Sequence, residues 1–413
     1  MQKILIYTPK ITSRIQYIFD FVWNEFSGVD FELTTNLQFF EASDFPKINY
    51  SKEKISDEIH LISDGFMFEN GISGNVKFKE LNEIGKLFFS LSRYEEYLPQ
   101  EKDIHGRISG KGKVYKTPFV DEWILKFQEK FKFKYSELEF KKREFEMVLT
   151  CDVDQVWKYK NKGFKRTYGT FLKDLIKLDW REFKKRKNVI SGKEVDDYDT
   201  FEVFKILRQT HNDKKLQSKF RMIFFWLMAN YGKFDKNNPF DNSFFQNKIK
   251  EISKWAEIGI HPSYASNSNL EKLKTEIRRL EKISGQKITK SRQHFIKLDL
   301  PETYQNLIQK GIEEDYTMAY ADETGFRAGT CTPFYWYDLR DEIKTNLKVH
   351  SFCAMDVTLR NYMKLNPEQA LAELFRLKSE IQKVNGQMIT LFHNSNFNGE
   401  WNGWKEVLEN FIK

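Results

Sequence analysis

Apolar positions along the chain fall into two rhythms. Short runs rich in β-branched and aromatic residues, near 147–151, 221–227, 257–260, 291–295, 315–319, 348–353 and 387–392, read as buried strands. Between many of them the apolar residues recur at helical spacing: 200–209, 245–255, 269–283, 301–310 and 367–384. Asn366-Pro367 gives the last of these a start with proline at the first helical position. Seven strands alternating with helices predict an α/β architecture, a parallel β/α barrel over residues 145–413.

The residues before it follow another plan. A strand at Ile4–Tyr7 leads to a helix over 13–26. Helical patterns follow over 78–97, ending in Ser92-Arg93-Tyr94-Glu95-Glu96-Tyr97, and over 118–131. A basic, glycine-bearing loop lies between these two, at Gly106–Lys113. The charged run Lys141-Lys142-Arg143-Glu144 reads as a linker, so residues 1–140 form a smaller N-terminal α/β domain.

Composition narrows the class. Hydrophobic residues make up 40% of 413, with 38 Phe and 18 Tyr, enough for aromatic-rich cores. No apolar run reaches membrane-spanning length. The opening run Met1–Tyr7 is too short for a signal sequence. Cys151, Cys331 and Cys353 have no metal-type spacing and no disulfide framework. A reduced, cytoplasmic protein is expected. The net charge of +8 is concentrated: Lys158–Asn188 holds twelve Lys/Arg against three Asp/Glu. The rest is close to neutral, which argues against a nucleic-acid-binding surface.

Candidate chemistry gathers at the predicted strand ends, where barrels place catalytic groups. Asp152 and Asp154 leave the same face of the first strand, while Cys151 points the other way among neighbours that would raise its pKa. Two carboxylates at a buried strand end suit a metal ion or a general base, and also suit a capping turn. Of seven histidines, His261, His294 and His393 fall at strand ends. Aspartate with two imidazoles and open positions is a usual set for catalytic zinc or a similar divalent ion.

Five motifs occur in order: Thr150-Cys151-Asp152-Val153-Asp154, His261-Pro262-Ser263-Tyr264-Ala265-Ser266, Arg292-Gln293-His294-Phe295, Gly325-Phe326-Arg327-Ala328-Gly329-Thr330 and Leu391-Phe392-His393-Asn394. Together they resemble a divergent branch of the bacterial polysaccharide deacetylases, related to carbohydrate esterase family four. Residues 1–140 resemble an uncharacterised domain that precedes such enzymes. The resemblance implies a distorted (β/α)7 barrel and metal-dependent removal of an acetyl group from an amino sugar. It assigns Asp152 as catalytic base, Arg292 as the group orienting it, His393 as general acid and His261 as a metal ligand. Two positions depart from the pattern: Val153 stands where a metal aspartate is usual, and Ala265 where a second metal histidine is usual. Asp154 and His294 are expected to replace them, holding one divalent ion, zinc in the first place, with cobalt, nickel or manganese as alternatives. The competing reading is a degenerate barrel that binds a glycan or precursor without turnover; a third is a non-sugar amidohydrolase.

Arg327 and Asp356 are expected either to contact substrate or to form a buried ion pair with each other. The segment 158–188, basic and studded with aromatics, either contacts an anionic partner or packs as a solvated helical hairpin. That partner would be a phosphorylated or lipid-linked sugar or the inner membrane face. The expected substrate is an intracellular precursor of a surface glycan.

Overall fold

The computed structural model describes residues 3–213 and 219–412. Two sheets organise it. The first contains β1 (Lys3–Tyr7), β2 (Asp30–Thr34), β3 (Lys47–Ser51) and β4 (Ile59–Ile62), all parallel, in the order β2-β1-β3-β4. The expected first helix is α-helical over Ser13–Phe19 and widens to a π-helix over Asp20–Ser27. The segment 78–97 breaks into a short 3₁₀ turn, the helix Glu83–Leu91 and a second 3₁₀ turn at Tyr94–Tyr97.

The second sheet contains β5 (Glu146–Val153), β6 (Lys219–Trp226), β7 (Glu257–Ile260), β8 (Lys290–Ser291), β9 (Glu314–Asp315), β10 (Phe334–Asp338), β11 (Ile343–Val349), β12 (Ala354–Met355) and β13 (Gln387–His393). Their order is β10-β11-β9-β8-β7-β6-β5-β13-β12, parallel except for the β10–β11 hairpin. The five helices expected between strands are present, over Phe201–Asp213, Ser243–Ile252, Leu270–Ser284, Glu302–Gln309 and Pro367–Lys383. Asn366 closes the start of the last in a reciprocal capping box with Gln369.

The expected closed barrel is not formed among the described pairings. The free edge of β9 is taken by β11, so β12 pairs only with β13 and the sheet ends there. The hairpin that causes this has both Trp336 and Tyr337 buried, so it lacks the one-sided alternation by which a strand is usually recognised. The sheet nevertheless curls. β5 and β8 are three strands apart, roughly 14 Å on a flat sheet, yet Arg292, just beyond β8, reaches Asp152 on β5 at 3.1 Å. A compact inner cluster that includes Val148, Phe225, Tyr316, Met355 and Leu391 fills the inside of that curl. Alternate residues of the same strands, among them Leu149, Cys151, Val153 and Trp226, face an outer core that also takes in the first sheet and its helices. Gly259 on β7 is needed for the inner packing: a Cβ there would lie 2.6 Å from the Phe225 ring.

Candidate active site

The carboxyl ends of β5, β7, β8 and β13 converge on one cleft of about 190 Å³. Asp152 and His393 are register partners on the adjacent parallel strands β5 and β13, so both side chains leave the same face. Cys151, the residue before Asp152, points into the outer core instead, and burial pushes its thiol well above the ordinary range.

Asp154, one residue past β5, is partly open to the cleft, its side chain 32% exposed. Its Oδ1 atom is buried and accepts no hydrogen bond. That oxygen lies 3.4 Å from His261 Nε2 and 3.6 Å from His294 Nε2. The far nitrogen of each ring is already committed: His261 Nδ1 contacts the Arg292 carbonyl at 2.5 Å, and His294 Nδ1 contacts Asp235 Oδ1 at 2.9 Å. Both acceptors call for a proton on Nδ1, leaving a lone pair on each Nε2 that faces Asp154. Donor atoms of the three residues all lie within 4.8 Å of one another. Tetrahedral coordination at the usual zinc–ligand distances puts ligand atoms roughly 3.3 Å apart. A divalent ion therefore fits this group with little adjustment.

Electrostatics agree. Burial works against a charged imidazole at His294, but Asp154 and then Asp235 outweigh it and push its pKa up to about 9. Burial alone would raise the Asp154 carboxyl, but His294 and His261 hold it well below the usual carboxylate range. Without a cation, the site concentrates negative charge that His294 answers by holding a proton.

Around this group the remaining residues are fixed by protein partners. Arg292, fully buried, donates from Nη1 to Asp152 Oδ1 at 3.1 Å and to Thr150 Oγ1 at 2.5 Å, and from Nε to the Tyr316 carbonyl. Asp356 accepts from His393 Nδ1 and from its backbone N–H, each at 2.8 Å, and from Asn396. Burial lowers the His393 pKa, but Asp356 overrides this and pushes it up to about 10.

His294 is expected at a strand end; it lies instead in a short turn beyond β8, its backbone N–H bonded to the Pro262 carbonyl. The next two residues, Phe295 and Ile296, have left-handed φ of 62° and 54°, a conformation that costs about 1–3 kcal/mol for each non-glycine residue. The N-terminal region braces this turn: Arg107 donates to the Phe295 carbonyl, and the His105 ring packs on Phe295 at 4.7 Å. Arg107 also lines the cleft and bonds Tyr362.

Two expected substrate contacts are differently employed. Arg327 is buried away from the cleft in a two-point ion pair with Glu96, at 2.8 and 2.6 Å, and it also donates to the Ala319 carbonyl. The ion pair expected as its alternative exists, but with Glu96 instead of Asp356. Asp356 holds His393 and is itself buried. Asp235 is not among the expected site residues; it is one aspartate in the polar loop after β6, with no spacing to mark it. Trp404 belongs to the outer core.

Comparison with known proteins adds the following. Residues 4–84 and 79–136 match a family of unknown function, DUF7033. No curated protein matches the chain. Among solved structures, a candidate polysaccharide deacetylase of Mycobacterium smegmatis is similar at 11% identity and TM-score 0.39, over 67% of this chain and 86% of that one. The polysaccharide deacetylase Bc1974 of Bacillus cereus is similar at 12% identity and TM-score 0.32, over 66% and 86%. BA3943 of Bacillus anthracis, a CE4-family pseudoenzyme, is similar at 12% identity and TM-score 0.29; the chain covers 59% of its length and 65% of its own. At these scores the likeness establishes no shared fold, and the site is read from its own residues.

Proposed function

We propose that this protein is a metal-dependent amidohydrolase that removes the acetyl group from an N-acetylated sugar. The observation that carries the reading is the buried, unpartnered Asp154 Oδ1 facing two imidazole Nε2 atoms whose Nδ1 positions are already engaged. Asp154, His261 and His294 would hold the ion, which when bound supplies Lewis-acid polarisation of the acetyl carbonyl.

The chain's own residues divide the proton work. Asp152, positioned by the Arg292 hydrogen bond to Oδ1, takes a proton from the attacking water through the oxygen that Arg292 leaves free. His393 donates from Nδ1 to Asp356, and because that carboxylate raises its pKa to about 10 the ring is an imidazolium at neutral pH; its Nε2 proton goes to the departing amine as the C–N bond breaks. The products are acetate and a free amino sugar. Base and acid stand side by side in register, which allows them to serve opposite partners of one amide bond.

The test is acetate release from N-acetylated sugars by the zinc- or cobalt-loaded protein, beside Asp152→Asn. Release abolished by the substitution supports the reading. A protein that binds both metal and sugar yet releases no acetate would be the non-catalytic binding protein that Val153 and Ala265 also suggest.

We infer further that the helical hairpin Phe164–Ile176 and Trp180–Ile190 rests on an anionic bilayer surface. Phe164, Tyr168 and Leu172 recur four residues apart and are exposed, as are Ile176, Leu178 and Trp180 at the hairpin tip. The lysines and arginines on the same two helices supply the complementary charge. No described helix is long and apolar enough to cross a membrane.

A further inference from the structure

The four-stranded sheet has a crevice of its own, distant in sequence from every residue of the cleft. From β1 the chain passes to β2 on one side, then returns across β1 to reach β3 on the other. Strand order therefore reverses between β1 and β3. Loops leaving two strands at such a point diverge and leave an opening outside the carboxyl ends, where open parallel sheets bind their ligands. An opening of about 520 Å³ lies there, within the usual range for small-molecule sites.

Every strand contributes to it from its carboxyl end: Lys10 after β1, Leu37 after β2, Lys52 and Lys54 after β3, Ser63 and Phe68 after β4. The ammonium groups of the three lysines have no hydrogen-bond or ion-pair partner among the described residues. Ser63 is 6% exposed, yet its hydroxyl also has no partner. The loop carrying Lys52 and Lys54 is not slack. Buried Glu58 accepts from the backbone N–H groups of Ile55 and Ser56 at 2.8 and 2.6 Å and from the Asn49 side chain at 2.9 Å. Tyr7, Leu37, Ile55 and Phe68 supply an apolar part of the lining, and Glu53, between Lys52 and Lys54 in sequence, is its one carboxylate.

One crevice thus offers three unpaired cations, a buried hydroxyl in want of a partner, and an aromatic and aliphatic wall. We propose that it binds a nucleoside diphosphate, with the phosphates on Lys10, Lys52, Lys54 and the Ser63 hydroxyl and the base against Phe68 and Leu37. Three positive charges match a diphosphate better than a single carboxylate. The wall adds binding surface for a base that a bare phosphate lacks. The site is independent of the amidohydrolase reading.

The experiment is calorimetric titration of the full-length protein with UDP and, separately, with inorganic pyrophosphate, beside the surface variant Lys10→Glu/Lys52→Glu/Lys54→Glu. Saturable one-to-one binding of UDP is expected, tighter than pyrophosphate, and weakened on the order of tenfold or more in the variant. No saturable binding of either probe, or binding indifferent to the three substitutions, would overturn the site. Equal affinity for UDP and pyrophosphate would overturn the nucleoside part of the proposal.

Discussion

Asp235 Oδ1 stands 2.9 Å from His294 Nδ1 and fixes which nitrogen of that ring faces Asp154. Asp235 is itself held by the backbone N–H groups of Tyr264 and Ala265, on the loop that follows His261. A carboxylate behind a ligating histidine orients the ring and strengthens its lone pair. Asp235→Asn should therefore weaken zinc binding by roughly 10–100-fold while leaving the fold intact. Competitive titration against a chelating dye measures the first, and circular dichroism the second.

In the proposed reaction the His393–Asp356 pair sets the basic limit, as its hydrogen bond and charge dictate. Burial lowers the pKa of His393, but Asp356 raises it to about 10, so the proton needed by the leaving amine is retained through neutral pH. Since the protonated form is the active one, kcat/KM should fall as pH rises through about 10. Asp356→Asn removes the largest raising cause, leaving Asp154 and Asp152, and should move that limb down toward the ordinary histidine value near 6.5. A pH–rate profile of both proteins checks this; coincident limbs would mean that His393 is not the acid.

Glu96 joins the two parts of the chain, since it pairs with Arg93 beside it and with Arg327, which lies 231 residues away in sequence. Burial would raise its pKa, but Arg327 and Arg93 hold it down at about 2. Glu96→Gln leaves the buried Arg327 guanidinium without a counter-charge and Arg93 with Glu95 alone, and should cost about 3–5 kcal/mol of stability at neutral pH. The folded pKa is depressed, so the carboxylate's contribution is fully present above the unfolded value near 4.3 and lost as pH falls through about 2. Urea unfolding should show the gap between wild type and variant closing over that window. Arg327→Ala should likewise lower stability and leave the KM for sugar unchanged.

Much of this arrangement is legible in the sequence because strand periodicity carries it. Spacing alone places Asp152 on the face opposite Cys151, and the expected strand-end position of His294, in fact a turn beyond β8, suggests it as the replacement for the histidine that the family resemblance puts at Ala265. The residues that hold these groups leave no comparable trace. Asp235 is one of two aspartates in an irregular loop, and Glu96 meets Arg327 only through the tertiary fold. Closure of the barrel is the expectation from counting strands. It fails because β11 occupies the edge of β9, and that hairpin, with its adjacent buried aromatics, shows no clean period of two.

The basic hairpin gives a separate prediction. Vesicles containing anionic phospholipid should sediment the protein at low salt, zwitterionic vesicles should not, and added salt should release it. Phe164→Glu/Leu172→Glu/Trp180→Glu should abolish the binding. If those substitutions instead convert a dimer to a monomer with no change in vesicle binding, the surface is an interface between copies of the chain.

The metal content of the purified protein tests the central claim most directly, measured by elemental analysis after loading with zinc, cobalt, nickel or manganese, beside His261→Ala and His294→Ala. Expected is one tightly held divalent ion per wild-type chain, lost in both variants. No bound metal in the wild type, or full occupancy in His294→Ala, would contradict the Asp154–His261–His294 centre.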